Sequence, residues 1–487
     1  MQHEQIKYKI QEALLNKLCE IKNVISVTIV GSFVNNKDLY GISDIDTIVI
    51  TKSLNKKIFD SCYKAVSNID LKNCGLNNYK LKINTTFGPL KFDKPNLAVV
   101  HLMIYDIKSH RYHVIKSPFT CFDWERSNTR IGLSLKEIFP VGILQFRDFM
   151  EVRRSLENYI DDLEQNVISY REYYFDSNKT IEIKKNKPMD TRHSGEYSYH
   201  IVRNLISNYL KLNNQKNNSY SSDDIKKEIK RLFYDKSNYY EKKFNIISTI
   251  KSKRENNFPE DILMWTKLFL NDFQKMIKTE WRDAIAIYFI RHYKTKLNDG
   301  TFLGQGRNPG IDKSINYYID YQPQSIIHCS PMLRCIETAK SLSSGFKIMK
   351  DDRLHEYNYG FAEGLCYDEL VNKYPKISSD WENGKDPYFP GGENTRDVFN
   401  RLKSFLKDLA KELDSSNNKK PKYIVTHNGV LRCLLGDAFG LNLKDWYKLE
   451  IPHGVSLEFL YHNQKFYPNI PREICGEIMQ KIGYSSA

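Results

Sequence analysis

No apolar run in this 487-residue chain approaches the ~20 residues needed to cross a bilayer, which argues against a membrane-spanning protein. The opening residues, Met1-Gln2-His3-Glu4-Gln5-Ile6-Lys7, have no apolar core of the kind a secretory leader carries. Nine cysteines stand at 19, 62, 74, 121, 329, 335, 366, 433 and 475 with no Cys-x-x-Cys pair. An odd, scattered set without zinc spacing argues for reduced thiols in a reducing compartment. Internal repeats are lacking too. These absences lead to the expectation of a cytoplasmic protein with no membrane partner.

The chain is long for a single core, and its hydrophobic fraction of 41% and aromatic fraction of 13% suffice for packed domains. The formal charge of +14 admits a nucleic-acid partner. The basic residues are dispersed, however, with only short clusters such as Lys184-Lys185-Asn186-Lys187. A nucleic-acid partner is therefore not favoured over a small anionic one.

Periodicity predicts a helix over residues 5–22, then strands at Val24–Val30, Asp46–Ile50, Tyr79–Phe87 and Leu97–Tyr105. Residues 146–282 read as mostly helical, with stripes such as Phe149, Val152, Leu156, Ile160 and Leu163. The Asn/Ser/Lys-rich stretch Asn213–Ser222 reads as an exposed loop, and Arg192–His200 as a helix start or, alternatively, a substrate loop. A second α/β region then opens near Ala284. The expected domains are 1–145, 146–282 and 283–487, in a multidomain α/β protein.

The strand Tyr288-Phe289-Ile290 delivers Arg291-His292 at its C-terminal end. Ser330-Pro331-Met332-Leu333-Arg334, Leu354-His355-Glu356 and Val425-Thr426-His427-Asn428-Gly429 follow. A phosphate monoester is dianionic, so a site that cleaves it needs fixed cations around a nucleophile, and Arg supplies planar, permanently charged forks. A neutral His can take the phosphoryl group onto nitrogen, and a carboxylic acid must protonate the departing alkoxide. Arg291, Arg334 and His427 fit the clamp, His292 the nucleophile and Glu356 the acid. These motifs, with Tyr359-Gly360-Phe361-Ala362-Glu363-Gly364 and Pro390-Gly391-Gly392-Glu393-Asn394, resemble the histidine phosphatase superfamily, which includes phosphoglycerate mutases. The resemblance implies a three-layer α/β domain, a phosphohistidine mechanism without a cofactor, and substrate contacts from Thr295 and Asn298. Tyr293 and Lys294 depart from the usual Gly and Glu or Gln. The first could narrow the mouth of the site, and the second could add a cation for an acidic substrate.

Upstream, Gly31-Ser32 ends one strand and Ser43-Asp44-Ile45-Asp46 opens the next. Asp44 and Asp46 are two apart, so on a strand they point the same way. Paired carboxylates of this kind hold Mg²⁺ against a triphosphate, while Gly lets backbone approach phosphate and Ser offers a donor. The pattern resembles the DNA polymerase β-like nucleotidyltransferase superfamily. That resemblance implies a small mixed-sheet domain, an NTP substrate and a third ligand on a later strand. His101 occupies that strand's centre and is either the ligand or a hydrogen-bonded strand residue, with Asp93 and Asp106 as alternatives. The helical domain could hold the acceptor. The chain thus reads as a bifunctional enzyme that combines metal-dependent nucleotidyl transfer with phosphomonoester hydrolysis. A small phosphorylated sugar or polyol destined for polysaccharide precursors fits best. RNA end processing and nucleotidylation of a protein in a regulatory system are the alternatives.

Overall fold

The computed structural model describes residues 2–35, 44–85, 96–176, 179–214, 220–253, 255, 257–315, 326–342, 347–416 and 419–484. The chain falls into two compact units. One comprises Met1–Leu144, Asp148–Thr279 and Gly483–Ala487, and the other Gln145–Arg147 and Glu280–Ile482. None of the described helices is long and apolar enough to cross a membrane.

In the first unit, β1 (Val24–Val30), β2 (Ile45–Thr51), β3 (Lys80–Asn84), β4 (Leu97–Asp106) and β5 (Arg130–Gly132) form a mixed sheet in the order β3-β4-β2-β1-β5. β4 runs parallel to β2 and β3, and β1 runs antiparallel to β2 and β5. Both faces are covered, so the strands read as nearly continuous apolar runs. Val27, Ile29, Val49, Val100, Leu102 and Ile104 pack with Leu14 and Leu18 of helix Gln2–Cys19 and with Cys62 and Val66 of helix Lys56–Ser67. Each such leucine, fully buried, contributes about 1.5–3 kcal/mol. Val30, Ile48, Ile50, Met103 and Tyr105 face the other way, onto Leu135 and Ile138. Side-chain alternation puts Asp46 and His101 on this second face.

The region predicted as helical contains a hairpin, β6 (Val167–Asp176) and β7 (Lys179–Pro188), paired from Val167↔Pro188 to Asp176↔Lys179. The helical stripes on either side masked the local signal. Val167-Ile168-Ser169-Tyr170 and Thr180-Ile181-Glu182-Ile183 each hold three β-branched or aromatic residues in four, and suit strands. Residues 215–219 of the expected Asn213–Ser222 loop lie outside the described residues.

Arg192–His200 forms the first turns of helix Thr191–Asn214. Asp190 accepts the His193 backbone N–H at 2.8 Å, as a helix cap does. Gly195 lies under Phe258, and a Cβ there would sit 2.1 Å from ring carbons. A close ring contact therefore explains this glycine, without any need for a substrate loop.

In the second unit, β8 (Ile285–Arg291), β9 (Ile326–Cys329), β10 (Lys347–Lys350), β11 (Lys422–Thr426), β12 (Ser456–His462) and β13 (Lys465–Pro468) form a sheet ordered β10-β9-β11-β8-β12-β13. The first four strands are parallel, and β12 and β13 are antiparallel additions. Ile290, Ile327, Cys329, Tyr423 and Val425 pack on Cys335 and Ala339 of helix Leu333–Leu342. On the opposite face, His328 meets Phe405 of helix Thr395–Ser415 with ring centroids 5.6 Å apart. The result is three layers, helix, sheet and helix. Gln145 accepts the Ile470 N–H at 2.6 Å, and Arg147 pairs with Glu458 at 3.2 Å. Tyr484 donates its N–H to the Ile138 carbonyl at 3.1 Å within the first unit.

Replacing Gly195 with Ala tests the Phe258 contact. Helix propensity alone favours Ala by about 1 kcal/mol, whereas overpacking costs roughly 1–3 kcal/mol. The expected outcome is a lower Tm for Gly195→Ala, and a higher one would show that the ring moves aside freely.

Candidate functional site

The parallel strands of the second unit end together. Thr426 of β11 is in register with Arg291 of β8, the His292 N–H donates to the Thr426 carbonyl at 3.0 Å, and the Ser330 N–H donates to Val425 at 3.0 Å. This gathers Arg291-His292, Ser330 and His427 at the carboxyl edge of the sheet, where open α/β folds hold ligands. Arg334 lies in the first turn of helix Leu333–Leu342, and His427 caps helix Asn428–Ala438, so both helices present their positive ends near the site.

His292 is 2% exposed, and its Nδ1 lies 2.7 Å from the Tyr293 carbonyl. A carbonyl can only accept, so Nδ1 carries the proton and Nε2 keeps its lone pair. Burial, and then the charges of Arg334 and Arg291, hold this imidazole well below its usual titration range. Its ring centroid lies 5.2 Å from that of His427. Arg334 is fully buried; its Nε donates to His427 Nδ1 at 3.3 Å, Nη1 to the Arg307 carbonyl at 3.1 Å and Nη2 to the Gly304 carbonyl at 2.8 Å. His427 Nε2 accordingly bears hydrogen and reaches Ser330 Oγ at 2.8 Å. Burial first, then Arg334, keep His427 neutral as well.

Glu356 is buried, and its Oε1 accepts the backbone N–H groups of Tyr357 and Gly429, each at 3.0 Å. That leaves Oε2 as the oxygen able to carry a proton. A Cβ on Gly429 would sit 2.3 Å from Oε1, so the carboxyl requires glycine there. Thr295 and Asn298 bond to each other, with the Thr295 N–H and Oγ1 at 2.8 and 3.0 Å from Asn298 Oδ1. They form a local turn next to the nucleophile.

Two residues at this site, Gln305 and His453, carry no signal that the motif spacing picks out, while Glu363 lies within the Tyr359–Gly364 motif but is given no role by it. Gln305 donates to the Glu356 carbonyl at 2.7 Å, and Glu363 accepts the N–H groups of Gln305, Gly306 and Arg307, shaping the loop that holds Arg334. His453 meets Arg291 Nη2 at 2.9 Å. Its only sequence cue is its place between Pro452 and Gly454 ahead of a strand.

In the first unit, one carboxylate oxygen each from Asp44 and Asp46 and one imidazole nitrogen of His101 lie within 4.8 Å of one another. Two carboxylates and an imidazole are a donor set suited to a divalent cation. The parallel register places His101 beside Asp46, with Nδ1 3.1 Å from Oδ1. Gly31 has φ +78°, and a Cβ there would come 2.7 Å from Asp46 Oδ2. Backbone conformation and the Asp46 carboxylate thus both demand glycine. Ser32 opens the short helical turn Ser32–Asn35. Asp106 pairs in register with Thr51, five residues or about 17 Å along the strands from the Asp46–His101 pair. Its Oδ1 caps the next helix by accepting the Ser109 N–H at 2.7 Å. Asp106 is therefore too distant to join the cluster. Ser43 and Asp93 lie outside the described residues.

Comparison with known proteins agrees with both regions. Residues 287–468 match the profile of the histidine phosphatase superfamily (branch 1), and residues 12–98 match that of the nucleotidyltransferase domain. The chain is 28% identical over 176 residues to a 6-phosphofructo-2-kinase/fructose-2,6-bisphosphatase of Caenorhabditis elegans, over 34% of this chain and 37% of that one. It is 27% identical over 173 residues to phosphoserine phosphatase 1 of Hydrogenobacter thermophilus, over 34% of this chain and 80% of that one. The chain thus spans little more than a third of the nematode protein. The solved structure of a mycobacterial glucosyl-3-phosphoglycerate phosphatase aligns over 38% of this chain and 98% of its own, with 19% identity and a TM-score of 0.33. This polypeptide carries a nucleotidyltransferase domain towards its N-terminus and a histidine phosphatase superfamily domain towards its C-terminus.

Proposed function

We propose that the chain is a cytoplasmic bifunctional enzyme that hydrolyses a phosphomonoester through His292 and transfers a nucleotidyl group at Asp44, Asp46 and His101. The observation that carries the first activity is the fixed tautomer of His292. Its Nδ1 is committed to the Tyr293 carbonyl, and its free Nε2 lies in a site flanked by the Arg291 and Arg334 guanidinium groups. In the proposed cycle, Nε2 attacks phosphorus and the bond to the substrate oxygen breaks. Glu356 protonates that departing oxygen, and the two arginines with His427 hold the equatorial oxygens. Water, deprotonated by Glu356, then attacks the phosphohistidine, releasing phosphate and restoring His292.

At the other site, Asp44, Asp46 and His101 would hold a divalent cation, Mg²⁺ in the simplest case, which when bound neutralises triphosphate charge. Gly31 and Ser32 are suited to present backbone and hydroxyl donors to the same phosphates. A small phosphorylated metabolite is the favoured substrate, because relatives of the phosphatase region bear the name fructose-2,6-bisphosphatase. Loss of a phosphate and attachment of a nucleoside monophosphate would suit activation of a sugar or polyol for polysaccharide precursors. Incubating purified protein with each of the four NTPs and a panel of sugar phosphates tests this directly, and no nucleotide–sugar product with any of them would remove it.

Hydrolysis of an aryl phosphate should persist in EDTA and vanish in His292→Ala. Unchanged turnover in that variant would rule out the phosphohistidine. Glu356→Gln should slow alkyl phosphates far more than nitrophenyl phosphate, because a poor leaving group depends more on its acid. Asp46→Asn should abolish nucleotidyl transfer while phosphatase turnover stays near the parent value.

His292, His427 and His453 are all neutral when folded, with burial the first cause in each case and His453 lowered to about 4. The unfolded chain, with histidines near 6.5, takes up more protons than the folded one as pH falls, so stability is present above that value and is lost below it. The Tm should decline as pH is lowered from about 7 to about 5. A smaller decline is expected in His427→Asn, followed by calorimetry.

A further inference from the structure

His453 stands outside the residues that the chemistry above requires, yet it touches both halves of the Arg291-His292 pair. Its Nε2 lies 2.9 Å from Arg291 Nη2, and its Nδ1 lies 3.2 Å from the His292 carbonyl. Guanidinium can only donate, so Nε2 is the acceptor and Nδ1 carries the hydrogen that goes to the carbonyl. Both contacts are satisfied by one tautomer of the neutral ring. That protonation state is consistent with burial and the nearby Arg291 charge, which lower the imidazole to about 4.

The backbone fixes this ring in place. The Gly454 N–H donates to the Arg291 carbonyl at 3.1 Å, and the Arg291 N–H donates to the Val455 carbonyl at 3.1 Å. Gly454 has φ +74°, a conformation that favours glycine and turns the chain so that His453 sits over the end of β8. Arg291 Nη1 is bound to the carbonyl of Ile451, from the same segment. Ile451-Pro452-His453-Gly454 therefore grips the guanidinium at both terminal nitrogens.

We infer that His453 is a positioning residue of the phosphatase site, orienting the Arg291 guanidinium towards the phosphoryl group by accepting from Nη2 while anchored to the His292 carbonyl. The inference rests on the proposed role of Arg291 and His292 in phosphoryl transfer. The ring's contribution is geometric: a guanidinium tethered at one nitrogen can swing, and one tethered at both cannot. Misalignment should weaken the transition state, where phosphoryl oxygens are most demanding of geometry, more than it weakens substrate binding.

The test compares His453→Ala, His453→Gln, Arg291→Lys and the double variant Arg291→Lys/His453→Ala in the full chain, with nitrophenyl phosphate as substrate. His453→Ala should lower kcat by about tenfold, the usual scale for losing one orienting contact, with a smaller change in KM. His453→Gln, which keeps an amide oxygen as acceptor, should recover most of that loss. In the Arg291→Lys background, His453→Ala should cost little more, since residues acting through one another are not additive. Tm values for all four variants separate these effects from misfolding. Parent-like kcat in His453→Ala, or fully additive losses in the double variant, would overturn the inference. If His453→Gln is as impaired as His453→Ala while both melt like the parent, the acceptor role is also refuted. Activity surviving in His292→Ala would instead defeat the phosphohistidine reading on which this one stands.

Discussion

The guanidinium of Arg334 is a buried positive charge, and much of the second unit is arranged around it. Among the described residues no carboxylate lies within ion-pair distance of it; its partners are two carbonyls and an imidazole nitrogen. Burying an uncompensated cation is expensive, so the surrounding backbone must supply dipoles in place of a counter-charge. That need explains the shape of the 304–307 loop. Glu363 accepts three consecutive N–H groups from it and so turns the carbonyls of Gly304 and Arg307 onto the arginine. It also sets the tautomer of His427, because an imidazole that accepts from Arg334 must donate at its other nitrogen. A dianionic phosphoryl group is the natural complement to such a cation, and its charge would be felt strongly in a setting of low dielectric.

The two chemistries occupy different sheets but share a device. In each, a glycine allows a carboxylate to approach the backbone more closely than any side chain would permit. Asp46 lies against Gly31 and Glu356 against Gly429. At Glu356 this leaves Oε2 for a proton, whereas at Asp46 Oδ2 faces Gly31 and Oδ1 meets His101 Nδ1 at 3.1 Å. The neighbouring histidines differ in setting. His101 lies beside Asp46 among oxygens, where it can serve a cation, while His292 is surrounded by guanidinium charge and is kept as an uncharged base.

The sequence was most legible where short motifs sit at strand ends. Arg291-His292, Ser330-Pro331, Glu356 and His427 could be aligned with the requirements of phosphoryl chemistry; parallel strand register gathers the first two and His427, and the Gly429 N–H holds Glu356 beside them. Asp44 and Asp46 were equally readable, because period-two alternation is a local property. Pairings set by tertiary structure were not. Separating His101 from Asp106 needed the β2–β4 register, which no local pattern encodes, and Asp93 lies outside the described residues. The β6–β7 hairpin was obscured by long helical stripes on either side. His453 was hidden because its importance lies in an antiparallel strand folding back on β8, far along the chain. The Arg192–His200 stretch, conspicuous for its polarity, gained a plainer account once Phe258 was seen over Gly195.

Neither compact unit is one continuous stretch of polypeptide. Gln145 and Arg147 belong with the phosphatase unit, where they bind Ile470, Asn469 and Glu458, while Tyr484 belongs with the nucleotidyltransferase unit through Ile138. A cut between Thr279 and Glu280, where the two large parts meet in sequence, would part Gln145–Arg147 from the second unit and Gly483–Ala487 from the first. Fragments divided there would each lack contacts the intact chain supplies, Gln145 and Arg147 on one side and Tyr484 on the other.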